Sequence, residues 1–199
     1  MPLPAPAAGA VRDGDPAELV GLLSRATPLV VAACAPLTNV ARYVSLPGVG
    51  HVVMVGGELA AASEPEFNVA HDAASAATVL SAETPLTVYT ADVFETIAVP
   101  PPLVAKLRGS RDPAARLAGE LLAVRRHHLL GDAGALVLMA HPGLFDVRPK
   151  HMALIGDQLV PHPSRDVGRE VNVVVAADVP AVINAFISAL DDSVISRPD

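Results

Sequence analysis

Glu66, Asn68, Asp92 and Asp132 are the polar residues best placed by type and position to converge on a ligand. A carboxylate can accept a proton or help hold a cation, and an amide can hydrogen-bond a polar ligand. Each also has a plainer reading. Glu66 and Asn68 can be loop surface, Asp132 a helix N-cap and Asp92 a turn residue. Thr38 is a fifth candidate, within Ala35-Pro36-Leu37-Thr38-Asn39. Other groups carry less. Cys34 lies in an apolar run and reads as a small buried hydrophobe rather than a nucleophile. His127 and His128 are adjacent on an expected helix, so they share no face and make no metal pair. His71-Asp72 reads as a helix cap, Tyr89 as core, and the segment from Arg165 to Arg169 as a solvated loop.

The elements that must hold these residues follow from the apolar pattern. Asp15-Pro16 starts a helix to about Arg25, with the N-cap and first-position proline such starts favour. Pro28 to Ala33, His51 to Val55 and Leu86 to Thr90 are short continuous apolar runs, as strands buried on both faces require. Helices are expected from Pro36 to Tyr43 and from Asp72 to Ser81, with a polar loop from Glu58 to Asn68. Further helices are expected from Pro100 to about Leu107, from Asp112 through His128, and from Asp132 to about Met139. Met152 to Ile155 and Leu159-Val160 read as a small C-terminal hairpin around Gly156-Asp157. Val171 to Ala177 is a last strand, and Asp178-Val179-Pro180 begins a final helix to Leu190. The expected class is α/β, an open, mostly parallel sheet covered by helices. Ligands in such sheets bind at the carboxyl ends of strands. That rule selects 35–39, 56–68 and 91–92, with the helix start at Asp132 as a fourth spot.

Composition narrows the partners. Lys plus Arg number 14 against 21 Asp plus Glu, a formal net charge of −7, which argues against nucleic acid. Hydrophobic residues make up 51% of 199, enough apolar surface to exclude a disordered chain and to fill one domain. Aromatics are 3%, so aliphatic packing must build the core. The longest uncharged stretch, Ala26 to Ala41, is broken by Pro28, Pro36 and Asn39, too short for a membrane span. With a lone cysteine and no apolar leader, the expectation is a cytoplasmic protein. Residues 1–14 read as a flexible lead, 15–192 as the α/β domain and 193–199 as a tail.

Several motifs together resemble a known family. Ala35-Pro36-Leu37-Thr38-Asn39-Val40-Ala41 is similar to the "GPLTNxA" signature of the inosine-uridine-preferring nucleoside hydrolases. Val55-Gly56-Gly57 followed by Pro65-Glu66-Phe67-Asn68 and Asp72-Ala73-Ala74-Ser75-Ala76-Ala77 resembles that family's "MGG…AEFNxxxDPEAA". Thr90-Ala91-Asp92-Val93 resembles its "GLDVT" strand end. Gly131-Asp132-Ala133-Gly134-Ala135-Leu136 with His141-Pro142-Gly143-Leu144-Phe145 resembles "HDALAVAxxxDPxLF". The resemblance runs in order over residues 16–190. It implies hydrolysis of the N-glycosidic bond of ribonucleosides to ribose and free base. It also implies a Ca²⁺ ion that orients water and ribose hydroxyls, and a carboxylate that takes the water's proton. By the same resemblance Asp132 and the Thr38 carbonyl are metal ligands, and Glu66 and Asn68 bind the ribose hydroxyls.

The departures set the remaining expectations. The family's "DxDPGxDD" motif, source of the general base and most of the metal's charge, has no counterpart. Asp13-Gly14-Asp15-Pro16 imitates only its first half. Ala60, Gly131, Ala35 and Phe94 stand where the family pattern has Asn, His, Gly and Thr. The chain is therefore expected to begin partway into the fold, to bind calcium at or beyond ~10⁻⁴–10⁻³ M, and to hydrolyse nucleosides weakly or not at all by itself. The alternatives are a non-catalytic ligand-binding or interaction subunit of the same fold, and a plain α/β fragment without a site. Bare apolar sheet surface would make it self-associate or pair with a chain that carries the missing aspartates.

Overall fold

The computed structural model describes residues 16–25 and 27–191. The expected 1–14 lead and 193–199 tail lie outside the described residues, as does Asp15. In chain order the elements are α1 (Pro16–Leu23), β1 (Leu29–Ala33), α2 (Thr38–Ala41), β2 (Val49–Val55), α3 (Phe67–His71) and α4 (Ala73–Ser81). They continue with β3 (Leu86–Tyr89), α5 (Ala91–Phe94), α6 (Pro101–Arg108), α7 (Pro113–Val124) and α8 (Asp132–Ala140). Last come β4 (Phe145–Ile155), β5 (Gln158–Pro161), β6 (Arg169–Ala177) and α9 (Val179–Asp191). The strands form one six-stranded sheet, ordered β1-β2-β3-β6-β4-β5. β1, β2, β3 and β6 run parallel; β4 is antiparallel to both β6 and β5. The fold is α/β, a mostly parallel sheet covered by helices, as the patterning predicts.

The central strands read as continuous apolar runs because helices cover both faces. Along β2, Val52 and Met54 enter one core with α1, α2 and α4, while Val53 and Val55 enter the other with α5–α9. β3 divides the same way, Val88 to the first core and Tyr89 to the second. Aliphatic side chains supply nearly all this packing, and each full burial of a Val or Leu contributes about 1.5–3 kcal/mol. Tyr89 is a core residue, 0% exposed, with its ring edge-on to Phe94 and Phe145.

Several expectations change at the edges. β1 is not buried on both faces: it ends the sheet, and Val30 is 53% exposed. Cys34, just beyond it, is only partly buried. The helix from Pro113 stops at Val124 rather than running through His128. A 3-10 turn follows, with His127 and His128 at φ 58° and 54°. The chain must swing back there, because Val99 N–H donates to the His128 carbonyl and Leu129 bridges Ala98. Arg169 belongs to β6 and donates to the Thr84 carbonyl at 2.8 Å, so it is not loop solvent. The hairpin around Gly156-Asp157 forms as β4–β5, but its first arm is eleven residues long and joins the main sheet through β6.

Candidate functional site

The carboxyl end of β2 builds the first part of the site. Gly56 (φ 155°) and Gly57 (φ 72°) take the chain through a turn that side chains resist. A Cβ on Gly56 would lie 2.9 Å from Glu66 Oε2, so the absent side chain lets Glu66 close on the strand end. Glu66 caps α3, accepting from the N–H groups of Asn68 and Val69 at 3.0 Å each. Asn68 Nδ2 donates to the Val55 carbonyl at 3.0 Å, which ties α3 back to β2. Glu66 is thus a cap held half-buried, not loose loop surface. Burial pushes its carboxyl up, three backbone hydrogen bonds pull it down, and the charge of Asp132 pushes it up again; the net direction is up.

Asp132 opens α8 on the far side of the strand ends. It is the first helical residue, and Gly131 (φ 54°) holds the cap position. Its carboxylate faces the Arg125 guanidinium at 3.5 Å, both side chains about half exposed. A Cβ on residue 131 would meet Arg125 Nη1 at 2.3 Å. Arginine therefore occupies the space that a histidine side chain at 131 would need. The Asp132 charge is felt by Glu66, by Cys34 and by Tyr89, which groups these four at one end of the sheet. Burial and then Asp132 push both the Cys34 thiol and the Tyr89 phenol up, which keeps the thiol protonated and unreactive.

Thr38 is the first residue of α2. Its hydroxyl donates to Asp72, which also caps α4 by accepting from Ser75 N at 3.0 Å and from Ser75 Oγ at 2.8 Å. The capping role expected for Asp72 is therefore present. Asp92 sits in α5 rather than in a turn and accepts from Leu59 N at 2.7 Å.

Two cavities flank these groups. One, of 470 Å³, lies between the 58–67 segment and α5 and is lined by Glu58, Glu64, Glu66, Phe67, Asp92 and Phe94, among others. Asp132 lines another, of 410 Å³, with Leu121, Arg125, Leu129 and Phe186. Glu58 was missed in the sequence, where it reads as the first residue of a polar loop. It is 4% exposed, and its Oε1 accepts from Glu66 N at 2.6 Å. The available signal was its place directly after the Gly56-Gly57 turn, at the end of a central strand.

Calcium wants about 6–8 oxygen ligands. Among the described residues no group of three or more His, Cys, Asp or Glu side chains is close enough to hold a metal. Asp132, the carboxylate expected to anchor it, already has a guanidinium beside it. The described residues do not fit a calcium shell. None of the described helices is long and apolar enough to cross a membrane.

Most of the chain is similar to known proteins. It resembles an inosine-uridine preferring nucleoside hydrolase from Bacillus anthracis (TM-score 0.72, 19% identity, 87% of this chain and 63% of that one). It also resembles a plant nucleoside hydrolase (0.73, 16%, 87% and 64%) and a purine-preferring ribonucleoside hydrolase from Gardnerella vaginalis (0.71, 18%, 89% and 66%). The chain thus spans 63–66% of the length of these solved structures. At such identities the likeness is one of fold. No curated protein matches the sequence. The family model described as inosine-uridine preferring nucleoside hydrolase matches residues 2–184. With the strand-end loops, the capped α3 and the fold agreeing with that match, the chain belongs to the inosine-uridine preferring nucleoside hydrolase family.

Proposed function

We propose that this chain binds the ribose of a nucleoside through Glu66 and Asn68, and that by itself it hydrolyses the N-glycosidic bond slowly or not at all. Family membership and the convergence of these two residues on the end of β2 support the binding half. The Arg125–Asp132 pair carries the second half. A guanidinium beside the expected metal carboxylate opposes a second cation, so calcium held by Asp132 and Thr38 is weak. A positioned proton acceptor contributes ~10²–10⁴-fold to rate, and the family's "DxDPGxDD" motif, which supplies it, has no counterpart in the sequence. Calorimetric titration with inosine and uridine should show saturable binding that Glu66→Gln weakens. Release of base should stay near background with millimolar calcium present. Turnover that EDTA abolishes would overturn the reduced-activity half, and absence of any nucleoside binding would overturn the first.

We further infer that two copies associate through the outer edge of β1, which ends the sheet with Val30 exposed.

A further inference from the structure

The 470 Å³ cavity between the 58–67 segment and α5 has a lining of one sign. Glu58, Glu64, Glu66, Asp92 and Glu95 surround it, and among the described residues no Lys, Arg or His lines it. Glu58 is the telling member. It is 4% exposed, and its Oε2 finds no hydrogen-bond partner among the described residues. A buried carboxyl oxygen without a partner costs several kcal/mol relative to water, so folds seldom keep one without a use. The segment that covers Glu58 is nonetheless firmly tied. Glu58 N–H donates to the Leu159 carbonyl at 2.9 Å, Leu59 N–H to Asp92 at 2.7 Å, and Gln158 Nε2 to the Ala62 carbonyl at 2.7 Å. Glu66 gives Glu58 only its backbone N–H, because the Glu66 carboxylate is itself an acceptor, taking the N–H groups of Asn68 and Val69.

We propose that this cavity binds a small organic cation bearing ammonium or guanidinium groups, with Glu58 as the buried anchor. Such a ligand supplies N–H donors to the orphan Oε2 and to the carboxylates around it, as charge-assisted hydrogen bonds. Phe67, 67% exposed on the rim, and Phe94 offer aromatic faces to the same charge. The volume falls in the range of small-molecule sites. A bare metal ion fits less well, because the carboxylates line a cavity of this size rather than close on a point, and no metal-sized cluster exists among the described residues. Burial, and the nearby charges of Glu66, Asp92 and Asp157, push the Glu58 carboxyl up, a penalty that an entering cation removes. The cavity shares Glu66 with the ribose reading but does not rest on it, since the anchor, Glu58, and the ligand's charge are different.

The test is calorimetric titration of the full chain with putrescine, with butanediol as the uncharged counterpart and calcium chloride as the metal arm. Putrescine should saturate with a Kd of ~1 mM or tighter, and butanediol should not bind. Glu58→Gln should weaken putrescine about tenfold or more, the loss expected for one hydrogen-bonded charge. Inosine binding should persist in Glu58→Gln, which separates this site from the ribose reading. Equal binding of butanediol, no putrescine binding, or calcium displacing putrescine at equal concentration would overturn the proposal. Should Glu58→Gln fail to fold, the rim double variant Glu64→Gln/Glu95→Gln decides: weaker putrescine binding supports the site, and unchanged binding overturns it.

Discussion

At the scale of single residues, Asp132 and Arg125 bear on whether the strand ends can hold a cation. Their 3.5 Å pair is half exposed on each side, so solvent screens it and it contributes only about 0–1 kcal/mol to folding. Its effect on a cation is larger, because the guanidinium carries the same sign as the metal and lies beside the carboxylate that would hold it. Arg125→Ala should therefore leave the thermal midpoint nearly unchanged while raising calcium affinity several-fold, read by calorimetry. Unchanged calcium affinity would show that the pair is not what weakens the site. Glu66 makes the opposite case, a residue whose loss is felt first in the fold. Glu66→Ala removes the cap of α3 and should cost about 1 kcal/mol in a urea titration.

At the scale of elements, α3 and α4 meet the strand ends through two carboxyls with opposite pH behaviour. The hydroxyl of Thr38, then the Ser75 N–H and hydroxyl, hold the Asp72 carboxyl below its usual value. A depressed carboxyl stabilises the fold above its unfolded pKa, and that contribution is lost as pH falls through the folded one. The stability gap between wild type and Asp72→Ala should then be open at neutral pH and close on acidification below about 3.8. Glu58 runs the other way. Burial raises its carboxyl, so its contribution is present below the usual glutamate value and is lost as pH rises through the raised one. Stability of Glu58→Gln should accordingly decline less than wild type on the alkaline side of 4.5, measured by urea midpoints. These elements were largely legible beforehand. Val52 to Val55 and Leu86 to Tyr89 are apolar on both faces, a pattern that only a covered parallel strand needs. The end of α7 was not legible. His127 and His128 leave the helix because Val99 and Ala98, thirty residues away, pair with the returning chain. Glu58 was hidden for a similar reason. Its one local mark is the Gly56-Gly57 turn just before it, and its burial depends on Leu159 and Glu66, which bond to it from outside that turn.

At the scale of the whole molecule, the sheet is asymmetric. Its β5 side ends in a hairpin arm, whereas among the described residues its β1 side ends in a parallel strand paired on one side by β2. Parallel strands are normally covered, because their faces are apolar and a bare edge leaves backbone donors and acceptors without partners. Here Val30 is 53% exposed, and the chain spans 63–66% of the solved relatives, in a fold of the same class. The net charge of −7 repels a second copy at long range, but salt screens that repulsion within about 8–10 Å. Apolar contact at the edge then dominates, and association should strengthen rather than weaken as salt rises. Light scattering in moderate salt should give twice the 20.4 kDa chain mass. Val30→Lys places a charge on the edge strand, the device by which natural sheets avoid edge pairing, and should return the protein to a single chain. A wild-type protein that stays at the single-chain mass at every salt concentration would show that the β1 edge is adequately blunted as it stands. In that case the apolar exposure at Val30 has no bearing on assembly, and the ribose and cation sites belong to a monomer.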